Sequence, residues 1–315
     1  MQPPRIKALD PFRAGWVCYS ACNPIVILLE RQSPMRSLLQ HIVVPILFCL
    51  VSMSVIAAPA FAQRTRKPIT WVNSDIPDFA GLEHKVLKSD ALGHDVGYVV
   101  WTPPGFSADA DTRYPVVYFL HGAGGSERSD AAGIASLLAK GIRNKTMPPA
   151  ICVCPNGGMS GYRGEVESMI VDELIPLIDS TYPTRADAKS RVLAGFSMGG
   201  AGCVRLSLLH PDLFCAAGSW GGALAFRGDA AESPLLPAAK KNAETLRANG
   251  YAALLINGDG DRPDAFALLA ETFRAHDIPH QVVIVENTKH NLGDYHKKTA
   301  DQMLSFLGKQ LQQNQ

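Results

Sequence analysis

The sequence predicts an α/β fold: a mainly parallel central sheet with helices on both faces. Three observations predict it. Short β-rich apolar runs recur along the chain, longer segments of helical period separate them, and no linker, repeat or low-complexity block interrupts the alternation after residue 63. With 315 residues, 47% of them hydrophobic and 19% charged, the chain can bury a sizeable core.

The elements follow in order. "GLEHKVLKSDALGHDVGYVVWTPPGF", from Gly81, reads as two strands around a turn and gives the sheet an antiparallel start. Six further runs read as strands: "YPVVYFL" (114–120), "AICVC" (150–154), "RVLAG" (191–195), "FCAAGS" (214–219), "AALLIN" (252–257) and "QVVIV" (281–285). Between them, "EVESMIVDELIPLIDSTY" carries an apolar stripe of Val166, Met169, Ile170, Leu174, Leu177 and Ile178, with Pro176 expected to kink the helix rather than end it. "PDAFALLAETFRAH" and "TADQMLSFLGKQL" have the same helical period, and His296 is expected where the last helix starts.

The N-terminus reads differently. From Met35, "MRSLLQHIVVPILFCLVSMSVIAAPAFAQ" has a basic start at Arg36, a long uncharged apolar run and a small-x-small end at Ala60-Phe61-Ala62. These are the marks of a secretory signal over 35–62, with an uncleaved anchor as the alternative. Residues 1–34 then read as an upstream extension from a start codon placed too early, and 63–315 as one domain, secreted or periplasmic. Without residues 1–62 the chain loses five basic side chains (Arg5, Lys7, Arg13, Arg31, Arg36) and two acidic ones (Asp10, Glu30) from its 30 and 29, which leaves 25 against 27. A balance of about −2 offers no cationic field for nucleic acid or anionic lipid, so neither is an expected partner. Composition leaves the oligomeric state open.

Of seven cysteines, Cys152, Cys154, Cys203 and Cys215 lie past the signal. Four cysteines allow three pairings, but Cys152 and Cys154 alternate on one strand face and no ligand spacing accompanies them. Buried thiols are the reading, with no metal and no cofactor expected.

The most informative stretch is "RVLAGFSMGGAG" (191–202). Gly195-Phe196-Ser197-Met198-Gly199 is G-x-S-x-G, set at a strand's end and followed by the helical "GAGCVRLSLLH". A serine on such a sharp turn stands at the carboxyl edge of the sheet above a helix N-terminus, where it can act as a nucleophile. Its base must follow it in the chain. His290 lies in "ENTKHNLGDYH", a loop leaving the last strand at the same edge, with His296 as runner-up. The acid should leave the preceding strand in "AALLINGDGDRPDAF", where Asp261 is favoured over Asp259 and Asp264. The N–H groups of Ala123, in "FLHGAGGSE", and of Met198 are the expected oxyanion donors. A dinucleotide loop would need glycine where Glu127 stands, and His121 reads as a structural hydrogen-bonding residue.

"YPVVYFLHGAGGSE", "SRVLAGFSMGG" and "TKHNLGDYHKKTADQMLSFL" resemble the putative-esterase branch of the α/β-hydrolases from about Gly81 onward. That branch includes feruloyl and acetyl-xylan esterases of carbohydrate esterase family one, S-formylglutathione hydrolases, enterochelin esterases and mycolyltransferases. The resemblance implies an α/β-hydrolase with Ser197, Asp261 and His290 as its triad. It departs around the histidine, where a Gly-Gly-His-aromatic context is replaced by Thr288-Lys289-His290-Asn291, with Tyr295 the nearest aromatic. Tyr295 and Trp220 are candidate substrate contacts, the alternative for Trp220 being an ordinary core position. The expected substrate is a small or carbohydrate-linked ester, feruloyl or acetyl. An acyltransferase or a non-catalytic binding relative is the competing function.

Overall fold

The computed structural model describes residues 68–108 and 111–313. The expected upstream extension and signal, residues 1–62, lie outside the described residues. No helix among the described residues is long and apolar enough to cross a membrane.

Among the described residues, eight strands form one sheet: β1 (Leu82–Ser89), β2 (His94–Trp101), β3 (Val116–Leu120), β4 (Ile151–Pro155), β5 (Arg191–Phe196), β6 (Ala216–Trp220), β7 (Ala252–Gly258) and β8 (His280–Val285). Their order is β1-β2-β4-β3-β5-β6-β7-β8. The β1–β2 and β2–β4 pairs are antiparallel and every later pair is parallel. β3, β4 and β7 are buried along their whole length, because helices cover both faces; such strands read as unbroken apolar runs.

The helices sort by face. On one side, α1 (Ala131–Arg143) packs Ile134 and Leu138, with Met303 and Leu307 of the last helix, against Val117, Phe119 and Val192. The alternate strand residues Tyr118, Leu193 and Leu255 face the other side. There they meet α2 (Glu165–Ser168), α3 (Ile175–Thr181), α4 (Met198–Leu209), α5 (Leu235–Lys241), α6 (Ala243–Ala248) and α7 (Ala267–Ala275). The expected kink takes a specific form: α2 and α3 are joined by a π-helical turn, Met169–Leu174, just before Ile175-Pro176. Proline has no N–H and its ring crowds the carbonyl four residues back, so the widened turn accommodates it.

The last helix, α8, spans Leu292–Gln313 and so begins earlier than its apolar period announces. Asn291 caps it, accepting the Asp294 N–H on Oδ1 at 3.1 Å. His296 therefore lies inside the helix rather than at its start.

This topology sets where a site can form. From β3 the chain runs to β4 on one side and then to β5 on the other, so the crevice at the carboxyl ends of β3 and β5 is the switch point of the sheet.

Candidate active site

Ser197 occupies that crevice. It links β5 to α4 with φ 55° and ψ −115°, a conformation that a side chain adopts only under constraint. Its N–H donates to the Trp220 carbonyl at 2.8 Å, fixing the turn to β6. The flanking glycines are required by close approach: a Cβ on Gly199 would stand 1.9 Å from the Leu120 carbonyl oxygen, and one on Gly195 2.7 Å from the same atom.

Around Ser197 the structure assembles a hydrogen-bonded relay. Ser197 Oγ lies 2.7 Å from His290 Nε2, and His290 Nδ1 lies 2.7 Å from Asp261 Oδ2. A carboxylate only accepts, so Nδ1 carries the proton it donates and Nε2 is left to accept the serine hydroxyl. Asp261 is 5% exposed, in a turn whose N–H returns to the Gly258 carbonyl at 3.0 Å. Its Oδ2 also accepts the Tyr295 hydroxyl at 2.7 Å, and that hydroxyl in turn accepts the Gly258 N–H at 2.7 Å. Burial, then the bond to Asp261, raises the Tyr295 phenol further above its ordinary value, so it stays a donor. The Phe196 ring supports the imidazole at a centroid distance of 4.8 Å.

The other candidates have other tasks. Asp259 does not reach the imidazole; its carboxylate accepts the N–H groups of Asn287 (2.9 Å) and Thr288 (3.1 Å), which hold it below the usual carboxylate range. With Lys298 Nζ, which donates to the carbonyls of Glu286 and Asn287, it shapes the loop carrying His290. Asp264 is exposed. His296 sits edge-on to Trp220 at 4.8 Å, away from Ser197, and burial lowers its imidazole to about 4.

Two expectations need correction. Trp220 is 1% exposed and donates its indole N–H to Thr299 Oγ1 at 2.9 Å, so it is a core residue. Tyr295 is 0% exposed and bound to Asp261, so it supports the acid and does not reach substrate. An exposed aromatic stands elsewhere on the same edge: Phe226, with the Arg262 guanidinium 4.9 Å from its ring centroid, lines a cavity of about 420 Å³ with Arg163, Leu224 and Arg227.

The loop after β3 faces the serine. A Cβ on Gly122 would lie 3.5 Å from Ser197 Cβ, which brings Ala123 next to the elbow. Among the described residues, the N–H groups of Ala123 and Met198 donate to no backbone acceptor. His121 donates from Nδ1 to the Gly122 carbonyl (2.8 Å) and accepts the Gly157 N–H on Nε2 (2.9 Å), as its structural reading implies.

Among the described residues no three His, Cys, Asp or Glu side chains are grouped to hold a metal ion. Cys152, Cys154 and Cys203 are buried and form no disulfide, and Cys215 is buried with Sγ 3.2 Å from the Lys189 carbonyl.

Comparison with known proteins gives three kinds of match. The family described as "Putative esterase" matches residues 89–296, about two thirds of the chain. An endo-1,4-beta-xylanase/feruloyl esterase of Xylanibacter ruminicola is 36% identical over 120 residues, 35% of this chain and 16% of that protein. An esterase of Mycobacterium tuberculosis is 31% identical over 157 residues, 45% of this chain and 32% of that protein. The chain thus spans less than a third of the length of either relative. Among solved structures, a ferulic acid esterase superposes with a TM-score of 0.65 at 22% identity, covering 73% of this chain and 98% of that one. That likeness establishes the α/β-hydrolase-like fold.

Proposed function

The chain belongs to the esterase family whose match spans residues 89–296, and we propose on that premise that it hydrolyses carboxylic esters through an acyl-enzyme. The observation that carries the proposal is the relay Ser197–His290–Asp261, with two 2.7 Å bonds in line at the mouth of the crevice.

Each residue then has a chemical role. His290 Nε2 takes the hydroxyl proton as Ser197 Oγ attacks the ester carbonyl, and later returns it to the leaving alcohol oxygen. Asp261 holds the Nδ1–H tautomer and stabilises the imidazolium while it lasts. Negative charge grows on the carbonyl oxygen as the tetrahedral intermediate forms. The N–H groups of Ala123 and Met198, the second at the start of α4, would receive it. Water then attacks the acyl-enzyme by the same route in reverse.

For the substrate we propose a feruloyl or acetyl ester attached to a carbohydrate or to another small alcohol. The feruloyl esterase name of one relative supports this. The signal read over 35–62 supports export to the periplasm or beyond.

The test is hydrolysis of p-nitrophenyl acetate beside methyl ferulate by the purified protein and its Ser197→Ala variant. Removal of the nucleophile is expected to lower kcat by more than about 10³-fold with the fold intact. A variant that turns over as fast as the parent would refute the mechanism. Faster release of ester product with an added alcohol than of acid with water alone would assign the protein to acyl transfer instead.

A further inference from the structure

A buried carboxylate that the mechanism does not use stands four residues past Ala123. Glu127 is 1% exposed, and every group around its two oxygens is a donor. Oε1 accepts the Asn73 N–H at 2.5 Å and faces Asn73 Nδ2 and His84 Nε2, each at 3.3 Å. Oε2 accepts from Asn73 Nδ2 at 3.0 Å and from Asn156 Nδ2 at 2.8 Å. The carboxylate presses so closely on β2 that a Cβ on Gly97 would lie 2.2 Å from Oε1. A charged group taken out of water persists only where its acceptors are filled, and here they are.

What this carboxylate fixes is the loop between β3 and α1. The front of that loop is held by His121, whose ring bridges Gly122 and Gly157 and whose carbonyl accepts the Tyr162 hydroxyl at 3.0 Å. Its middle is a tight turn, with the Gly125 N–H on the Gly122 carbonyl at 3.0 Å and the Gly124 N–H directed at Met159 Sδ at 3.1 Å. Glu127 closes the back. It ties the loop to the segment before β1 through Asn73 and to the end of β4 through Asn156, which itself binds the Thr70 and Trp71 carbonyls. Between these anchors the Ala123 N–H is left without a backbone acceptor.

We propose that Glu127 is a positioning residue for the ester hydrolysis, setting the Ala123 N–H where the oxyanion forms; this rests on the esterase function proposed above. The requirement is for a carboxylate. An amide in its place would turn an NH₂ toward Asn73 or Asn156, donor against donor, and the loop would shift away from the elbow. Asn73 supplies three of the five bonds from outside the loop.

The experiment compares Glu127→Gln and Asn73→Ala with the parent protein on p-nitrophenyl acetate, alongside melting temperature and the pH dependence of kcat. The expected result is a fall in kcat of about 10- to 100-fold for Glu127→Gln and several-fold for Asn73→Ala, below the ~10²–10³-fold of losing an oxyanion donor outright. KM should stay within roughly twofold and the pH profile should not move, because the triad is untouched. A folded Glu127→Gln protein with kcat within roughly twofold of the parent overturns the proposal. So does a loss expressed in KM, or a displaced pH profile, which would place the action on the triad. Should Glu127→Gln fail to fold, Asn73→Ala decides by the same criteria. Absence of turnover by the parent itself overturns the esterase function and this inference together, whereas an active parent with an unaffected variant overturns this inference alone.

Discussion

Tyr295 illustrates how a residue's task depends on one rotation of the chain. Its hydroxyl stands between two obligations, donating to Asp261 and accepting the buried Gly258 N–H, each at 2.7 Å. Tyr295→Phe removes both bonds and strands a buried N–H, so stability should fall by about 1–3 kcal/mol. Asp261 keeps its bond to His290 but loses a support, and kcat should drop by about tenfold, on the scale of other outer partners of catalytic groups. Denaturant melts and steady-state kinetics on p-nitrophenyl acetate measure the two losses; an unchanged variant would show that Asp261 is held by its turn alone. None of this was legible beforehand. An aromatic five residues past a histidine looks the same in sequence whether it faces solvent or the acid, and the difference comes from Asn291 capping α8 early enough to carry Tyr295 inward. Trp220 stayed open between pocket and core for the same reason, since the two share one composition and only Thr299, 79 residues away, tells them apart. Glu127 was visible only as a residue excluding a nucleotide loop, because its partner Asn73 lies 54 residues distant.

Elements were more legible than residues. Strands buried on both faces show as continuous apolar runs, and the β-rich runs starting at Tyr114, Arg191 and Ala252 coincide with β3, β5 and β7 to within about two residues. The π-helical turn before Pro176 was legible only as a kink, since how a helix yields to proline depends on what it packs against. The elbow joins both levels, for its glycines are written in the motif while the atoms that demand them belong to β3. A Gly199→Ala substitution drives a methyl into the Leu120 carbonyl, so the turn must open or β5 must slide from β3. We expect a stability loss of at least about 1–3 kcal/mol and loss of turnover beyond what the unfolded fraction explains. Gly133→Ala provides the control, because a Cβ there meets nothing within 4 Å and α1 should be unaffected or slightly stabilised. Equal effects from both substitutions would show that the close approach at the elbow carries no special cost.

At the scale of the molecule, His296, half-buried, and His121, buried, couple the fold to pH. His296 lies against Trp220 on the α8 side of the sheet with Nε2 buried and unpartnered, and burial lowers its imidazole to about 4. His121 is lowered by burial as well, even with the Glu127 carboxylate nearby, and its Nε2 is occupied as an acceptor for the Gly157 N–H. Both are neutral in the folded chain and both regain an ordinary value near 6.5 on unfolding. Between the folded and unfolded values the unfolded chain binds more protons, so stability rises with pH. The His296 contribution is whole above about 6.5 and declines as pH falls to about 4, with a slope approaching 1.4 kcal/mol per pH unit, and that of His121 declines in the same direction. Urea melts at pH 7, 6, 5 and 4 should therefore show a steady loss, and His296→Phe, which keeps a flat ring beside Trp220, should flatten the curve by one proton's worth. Parallel curves for parent and variant would place the acid sensitivity elsewhere.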